Sequence, residues 1–244
     1  MATPTFPELL AQFHEAPGAL VGRVPGFFVV HKPAGMTSHD VVDAVRRRLG
    51  LRKVGHGGTL DPMAEGVLLL LAGRATRLFD AVQTLPKMYR AWFRLGARTD
   101  TQDSTGEVIA SAPSGALPVE RERVENALEL FRGEILQTPP MHSALKRNGR
   151  PLYALAREGK VVERKARRVR VSSLALQDFD GASGAIELTV SSGFYVRTLI
   201  DDLGEALGVG AHMTALVRTA IGPFALQDAV PPEGIAPPEE RGGP

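Results

Sequence analysis

The chain has no cysteine in 244 residues, so neither a disulfide framework nor a thiolate metal site can be built. It has no apolar run near the roughly 20 residues a membrane span requires. Its opening, MATPTFPELLAQFHEAPG, has neither the basic start nor the apolar stretch of a secretory leader. A cytoplasmic, soluble chain with no membrane partner is the expectation. Further absences narrow the chemistry. Without cysteine the zinc deaminase signature cannot form, and the six histidines show no metal-ligand spacing. There is no G-x-S-x-G nucleophile elbow, and the glycine-rich stretches lack the Lys-Ser/Thr pair of a nucleotide-binding loop. No metal, nucleotide or redox cofactor is expected.

What is present is an ordinary globular composition, 43% hydrophobic and 23% charged, long enough for one large core or two modest ones. The formal charge of +2 is unevenly spread. From Gln137 to Arg170 stand ten basic residues (Lys146, Arg147, Arg150, Arg157, Lys160, Arg164, Lys165, Arg167, Arg168 and Arg170) against Glu158 and Glu163. The segment therefore carries +8 and leaves −6 to the rest of the chain. Such a block on an acidic body fits either a solvated face or a surface turned toward a polyanion. Met141, Leu145, Leu152, Tyr153 and Leu155 within it imply that part of it packs.

Residues 1–25, with Pro4, Pro7, Pro17 and Pro25, read as an irregular extension. Phe27–His31 reads as a strand, followed by a helix capped by Thr37 or Ser38, with Val41, Val42, Val45 and Leu49 on one face and Gly50 at its end. The unbroken apolar run Val67–Ala72 fits a strand buried on both faces, or a buried helix. Tyr89, Ala91, Phe93 and Leu95 alternate with Arg90, Trp92 and Arg94 as a strand, and Ile186, Leu188 and Val190 alternate as another. Val124, Ala127, Leu128 and Phe131 share a helical face that Gly133 should end, and a helix should run to about Leu207. The tail 231–244, rich in proline and glutamate, reads as disordered. The mixture predicts an α+β fold: a catalytic domain over 26–230 with 137–170 as a basic insertion.

Between these elements lies Gly55-His56-Gly57-Gly58-Thr59-Leu60-Asp61-Pro62. Glycines open backbone angles closed to other residues and admit a ligand closely. Pro62 restricts Asp61 toward an extended conformation. A loop of this kind presents one carboxylate stiffly, as a nucleophile or general base requires. Taken alone it fits equally an aspartate that caps the next element.

The stretch Gly55–Gly66, containing GHGGTLDPMAEG, resembles the catalytic motif of the TruB family of tRNA pseudouridine synthases. Four further stretches resemble that family's motifs in order: HKPAGMTS from His31, KMYR with LGARTDT from Lys87, TPPMHSALK from Thr138, and GFYVRTLIDDLG from Gly193. The resemblance covers roughly residues 26–225. It implies a mainly antiparallel α+β synthase core that isomerises uridine 55 in the T loop of tRNA, with Asp61 as the nucleophile. Attack on the sugar or on the base is left open.

By the same resemblance Arg197 pairs with the nucleophile, which would keep that carboxylate ionised. Tyr89 stacks on the target base, although its place in the Ala91/Phe93/Leu95 stripe also fits a core ring. Leu216 forms an apolar wall, and Tyr195 and Lys32 complete the pocket or serve the fold. A uridine inside a folded loop must be extruded before it can react, and His56 matches the histidine that fills the gap. The insertion 137–170, with Lys146, Arg147 and Arg150, matches a clamp on the T arm.

The chain departs from the family pattern at His31, Gly57 and His142, where Asp, Thr and Tyr or Phe are usual. It is also expected to lack a small C-terminal RNA-binding domain, and to act as a monomer. Two competing readings are an RNA-binding protein without turnover, such as a tRNA folding chaperone, and a synthase acting on another RNA.

Overall fold

The computed structural model describes residues 26–235 except Asn148 and Val161, with Ala11 and Glu15 before them. The expected extension 1–25 lies outside the described residues apart from those two, as does the tail from residue 236. In chain order the elements are β1 (Phe27–Lys32), α1 (Ser38–Leu49), β2 (Val54–His56), β3 (Glu65–Ala72), α2 (Phe79–Thr84), β4 (Lys87–Leu95), β5 (Ala97–Thr99) and β6 (Val108–Ser111). Then follow α3 (Arg121–Glu129), β7 (Gly133–Gln137), β8 (Lys146–Arg147), β9 (Arg150–Pro151), α4 (Leu152–Arg157), β10 (Arg167–Phe179) and β11 (Ser183–Val190). The last are α5 (Val196–Leu207), β12 (Ala211–Ile221) and β13 (Phe224–Ala225).

The chain divides into two compact units, residues 1–87 with 217–244 and residues 88–216. In the first, β3 pairs antiparallel with β1, Phe27 opposite Leu71 through to Lys32 opposite Gly66. It also pairs antiparallel with β2 and parallel with the end of β12. The apolar run of β3 is unbroken because both faces are buried. Val67, Leu69 and Leu71 pack with Ala75, Leu78, Val82 and Phe224, while Leu68, Leu70 and Ala72 pack with Val41, Val42 and Val45 of α1. Thr37 caps α1 in a reciprocal box with Asp40, and Gly50 closes it in the left-handed conformation.

Pro231–Ile235, expected in a disordered tail, is built onto this unit. A 3-10 turn at Pro232–Gly234 leads to Ile235, which is buried among the valines of α1. Arg48 donates to the Ile235 carbonyl. One isoleucine with an apolar seat outweighs the polar composition around it.

In the second unit the strand order is β4, β11, β10, β7, with β10 antiparallel to both β11 and β7. Helix α3 ends at Glu129, and Gly133 opens β7 rather than stopping the helix. The basic segment is also shorter as an excursion than its composition suggests. Arg167, Arg168 and Arg170 belong to β10, whose Val169 and Val171 are buried. Strands β10 and β12 were not foreseen, although Val169 and Val171 in the first and Ala211 and Met213 in the second are buried at alternate positions. Among the described residues no helix is long and apolar enough to cross a membrane.

Candidate active site

Asp61 lies half-buried in the turn between β2 and β3, and the backbone around it is pinned residue by residue. Because Thr37 supplies the cap of α1, Ser38 is released to face the loop. Its hydroxyl accepts from the Leu60 amide at 2.8 Å and donates to the Leu60 carbonyl at 3.0 Å. On the other flank the Pro62 carbonyl accepts from the Gly35 amide at 2.8 Å and from Lys32 Nζ at 3.3 Å. The Ala64 amide closes a turn on the Asp61 carbonyl at 3.1 Å, and the Gly57 amide bonds Leu69 at 2.9 Å.

Two buried cations complete this grip. Lys32, expected to complete the pocket or to serve the fold, is fully buried and spends its donors on the carbonyls of Pro33 (2.8 Å), Met36 (2.5 Å) and Pro62. It holds the loop, which makes it part of the scaffold of the site. Burial drops its pKa to about 8, with the Asp61 charge opposing the fall and Arg218 adding to it. Arg218, unremarked in the sequence, donates to the carbonyls of Val67 at 2.7 Å and Gly58 at 3.1 Å, with Thr59 at 3.4 Å. Its signal was a lone charge inside the apolar stretch Leu216–Ile221. A lowered pKa also marks His56, caused by burial, then by Arg218 and His39. Burial thus favours its neutral form, and its buried Nδ1 meets no hydrogen-bond partner among the described residues.

The departures take distinct places. Gly57 stands against α2, and a Cβ there would overlap Cγ1 of the fully buried Val82. His31 Nε2 is buried without a partner among the described residues.

The second unit carries Tyr89, Tyr195, Arg197 and Leu216. Tyr89 is half-buried on β4, and Leu216 is buried on β12. Arg197, the second residue of α5, is 4% exposed. Its guanidinium donates to the carbonyls of Thr101 and His142, both at 2.9 Å, and lies 3.5 Å from the Asp103 carboxylate. A helix start is an unfavourable place for a cation, and these acceptors offset it. Asp103 was not anticipated; its other oxygen accepts from Thr101, Thr105 and the Thr105 amide. Gln137 was missed as well: buried, it braces the residue that precedes α5, accepting from the Tyr195 amide at 2.7 Å and donating to its carbonyl at 2.9 Å. The Tyr195 ring lies under the Arg167 guanidinium at 5.6 Å.

In the basic segment, β8 and β9 form a hairpin with Lys146 opposite Pro151 and Arg147 opposite Arg150. Arg147 donates to the Glu163 carbonyl at 2.6 Å. Arg150 and Lys160 both bond Glu158, whose pKa falls to about 2 under these two hydrogen bonds. Part of this positive surface is thus turned onto its own carboxylate.

Residues 46–196 match the family described as TruB family pseudouridylate synthase (N terminal domain). Residues 197–236 match the tRNA pseudouridylate synthase B C-terminal domain. The tRNA pseudouridine synthase B of Pseudomonas aeruginosa is 45% identical over 221 residues, covering 91% of this chain and 72% of that protein. That of Mycobacterium bovis is 47% identical over 209 residues, covering 84% and 70%. Among solved structures, a chain of a Cbf5-Nop10-Gar1 complex aligns with a TM-score of 0.63 at 34% identity, over 82% of this chain and 50% of its own length. A chain of an H/ACA RNP bound to a substrate RNA containing 2'-deoxyuridine aligns at 0.60 and 30%, over 82% and 48%. The chain thus spans about half the length of these structural relatives.

Proposed function

The chain belongs to the TruB family of pseudouridylate synthases, and we propose that it isomerises uridine 55 in the T loop of tRNA to pseudouridine, with Asp61 as the nucleophile. The observation that carries the reading is the presentation of Asp61. Its neighbours Leu60 and Pro62 are tied at both flanks by Ser38, Gly35 and Lys32, so the backbone that carries the carboxylate is held in place beforehand, a condition for efficient attack.

The reaction breaks the N1–C1′ bond of the uridine and forms a C5–C1′ bond. N1 takes up a proton and C5 releases one, so no redox partner is needed. A uracil stacked inside the T loop reaches a carboxylate only after extrusion, at a cost of a few kcal/mol. The neutral ring of His56 suits the space left behind, since a flat uncharged group stacks there without desolvating a charge. Tyr89, Arg197, Tyr195 and Leu216 keep the roles that their matches imply. The β8–β9 hairpin with Lys146, Arg147 and Arg150 supplies phosphate contacts to the T arm. The chain acts in the cytoplasm as a monomer, with tRNA as its partner.

Tritium release from tRNA labelled at uracil C5 tests the reading, with wild type beside Asp61→Asn. Release by wild type alone, mapped to the T loop, is the expected result. Release by Asp61→Asn at a comparable rate would remove Asp61 from the mechanism. Tight tRNA binding without release by wild type would favour the RNA chaperone, and release mapped elsewhere would favour another RNA target.

A further inference from the structure

Arg218 is among the largest fully buried side chains of the described residues, at 1% exposure. Its backbone is as closely fitted as its side chain. On β12 it stands opposite Gly66, five residues after Asp61. A Cβ at Gly66 would run into the Arg218 carbonyl oxygen and come within 2.8 Å of its amide nitrogen, and the φ of Gly66 is +112°. The glycine is what lets β12 approach.

From that seat the guanidinium bonds Val67 on β3 through Nε and the Gly58 carbonyl through Nη2, with Nη1 directed at Thr59. One planar group thus ties the strand that follows Asp61 to the turn that precedes it. A buried guanidinium is costly to desolvate, and an apolar side chain of like size would satisfy a core. What the arginine adds is a rigid fork that meets several carbonyls at fixed angles. Its charge also reaches Lys32, His56 and Lys87, each of which holds its proton less tightly because of it.

We infer that Arg218 is a positioning residue for the reaction, holding the Gly58–Thr59 turn so that Asp61 is presented in its attacking geometry. The inference rests on Asp61 being the nucleophile. Arg218 acts on turnover rather than on RNA binding, since it is buried and its donors go to loop and strand carbonyls. Lysine does not replace it: a single ammonium keeps the charge but cannot span Val67 and Gly58 as the fork does.

The test is single-turnover pseudouridine formation and tRNA affinity for Arg218→Lys and Arg218→Met, beside wild type and Asp61→Asn. Arg218→Lys is expected to fold, to bind tRNA within threefold of wild type and to react at least tenfold more slowly. Arg218→Met, if folded, falls at least as far. A wild-type rate for Arg218→Lys would overturn the inference. So would a loss of affinity equal to the loss of rate, which would place the residue in binding. An Arg218→Lys chain that fails to fold would equally overturn it, reducing the arginine to a stability role. The Asp61→Asn control separates the two readings. Activity there removes the nucleophile assignment, whereas an inactive Asp61→Asn beside a fully active Arg218→Lys removes only the inference about Arg218.

Discussion

Ser38 satisfies both backbone groups of Leu60 with one hydroxyl, accepting from its amide at 2.8 Å and donating to its carbonyl at 3.0 Å. A helix residue thereby serves as a strand-like partner for the residue before Asp61. Both groups lie in a buried environment, where an unmade hydrogen bond costs about 1–3 kcal/mol. Ser38→Ala is accordingly expected to lose about that much stability in urea unfolding. Its single-turnover rate should fall by at least tenfold while tRNA affinity stays within twofold. An unchanged rate in a destabilised protein would show that the Leu60 contacts serve the fold alone.

Gly57 and Val82 form a second pair, tested by a double-mutant cycle. The Cβ of Gly57→Ala overlaps Val82 Cγ1, and overpacking of this kind costs about 1–3 kcal/mol. Val82→Ala removes the obstructing methyl at the cost of a small cavity. The double variant should therefore be more stable than the sum of the two single effects predicts, by about 1 kcal/mol or more. Additivity within experimental error would mean that the loop shifts to accommodate the methyl. The pair also rationalises the departure at Gly57: in this chain a valine of α2 occupies the space a larger residue would need.

The two buried lysines give a pH dependence whose sign is fixed by their environments. Burial lowers Lys32 and Lys87 from 10.5 to about 8, and Lys87 Nζ is held by the carbonyls of Gln83 and Leu85. Between pH 8 and 10.5 the unfolded chain binds more protons at these sites than the folded one. Their contribution to stability therefore rises with pH across that window, and is lost as pH falls to about 8. Wild type should gain stability relative to Lys87→Met between pH 8 and 10 in urea unfolding. A constant difference would mean that Lys87 titrates near its ordinary value.

Glu158 accepts from both Arg150 and Lys160. If the hairpin meets phosphate, Glu158→Gln frees two cations and should tighten tRNA binding at low salt, with a steeper salt dependence. Neutralising Lys146, Arg147 and Arg150 together should do the reverse, reducing the slope of log affinity against log salt by about one for each phosphate that is no longer neutralised. An unchanged slope in both variants would place the hairpin away from the RNA backbone.

Much of this molecule was legible in its sequence because the deciding forces were local. The capping box at Thr37 and Asp40, the left-handed stop at Gly50 and the alternation from Tyr89 to Leu95 are consequences of backbone geometry and burial within a few residues. The run Val67–Ala72 fitted a strand with two buried faces or a buried helix, and the loop around Asp61 a stiffly held carboxylate or a capping aspartate. Tertiary structure alone decided what holds that carboxylate. Ser38, Lys32 and Arg218 reach the loop from 22, 30 and about 160 positions away in sequence, and no periodicity encodes such an approach. The same reason made Ile235 part of a core and gave Lys32 its place holding the loop. A buried cation or isoleucine is assigned by the partners that desolvate it, and those partners come together only when the chain has folded.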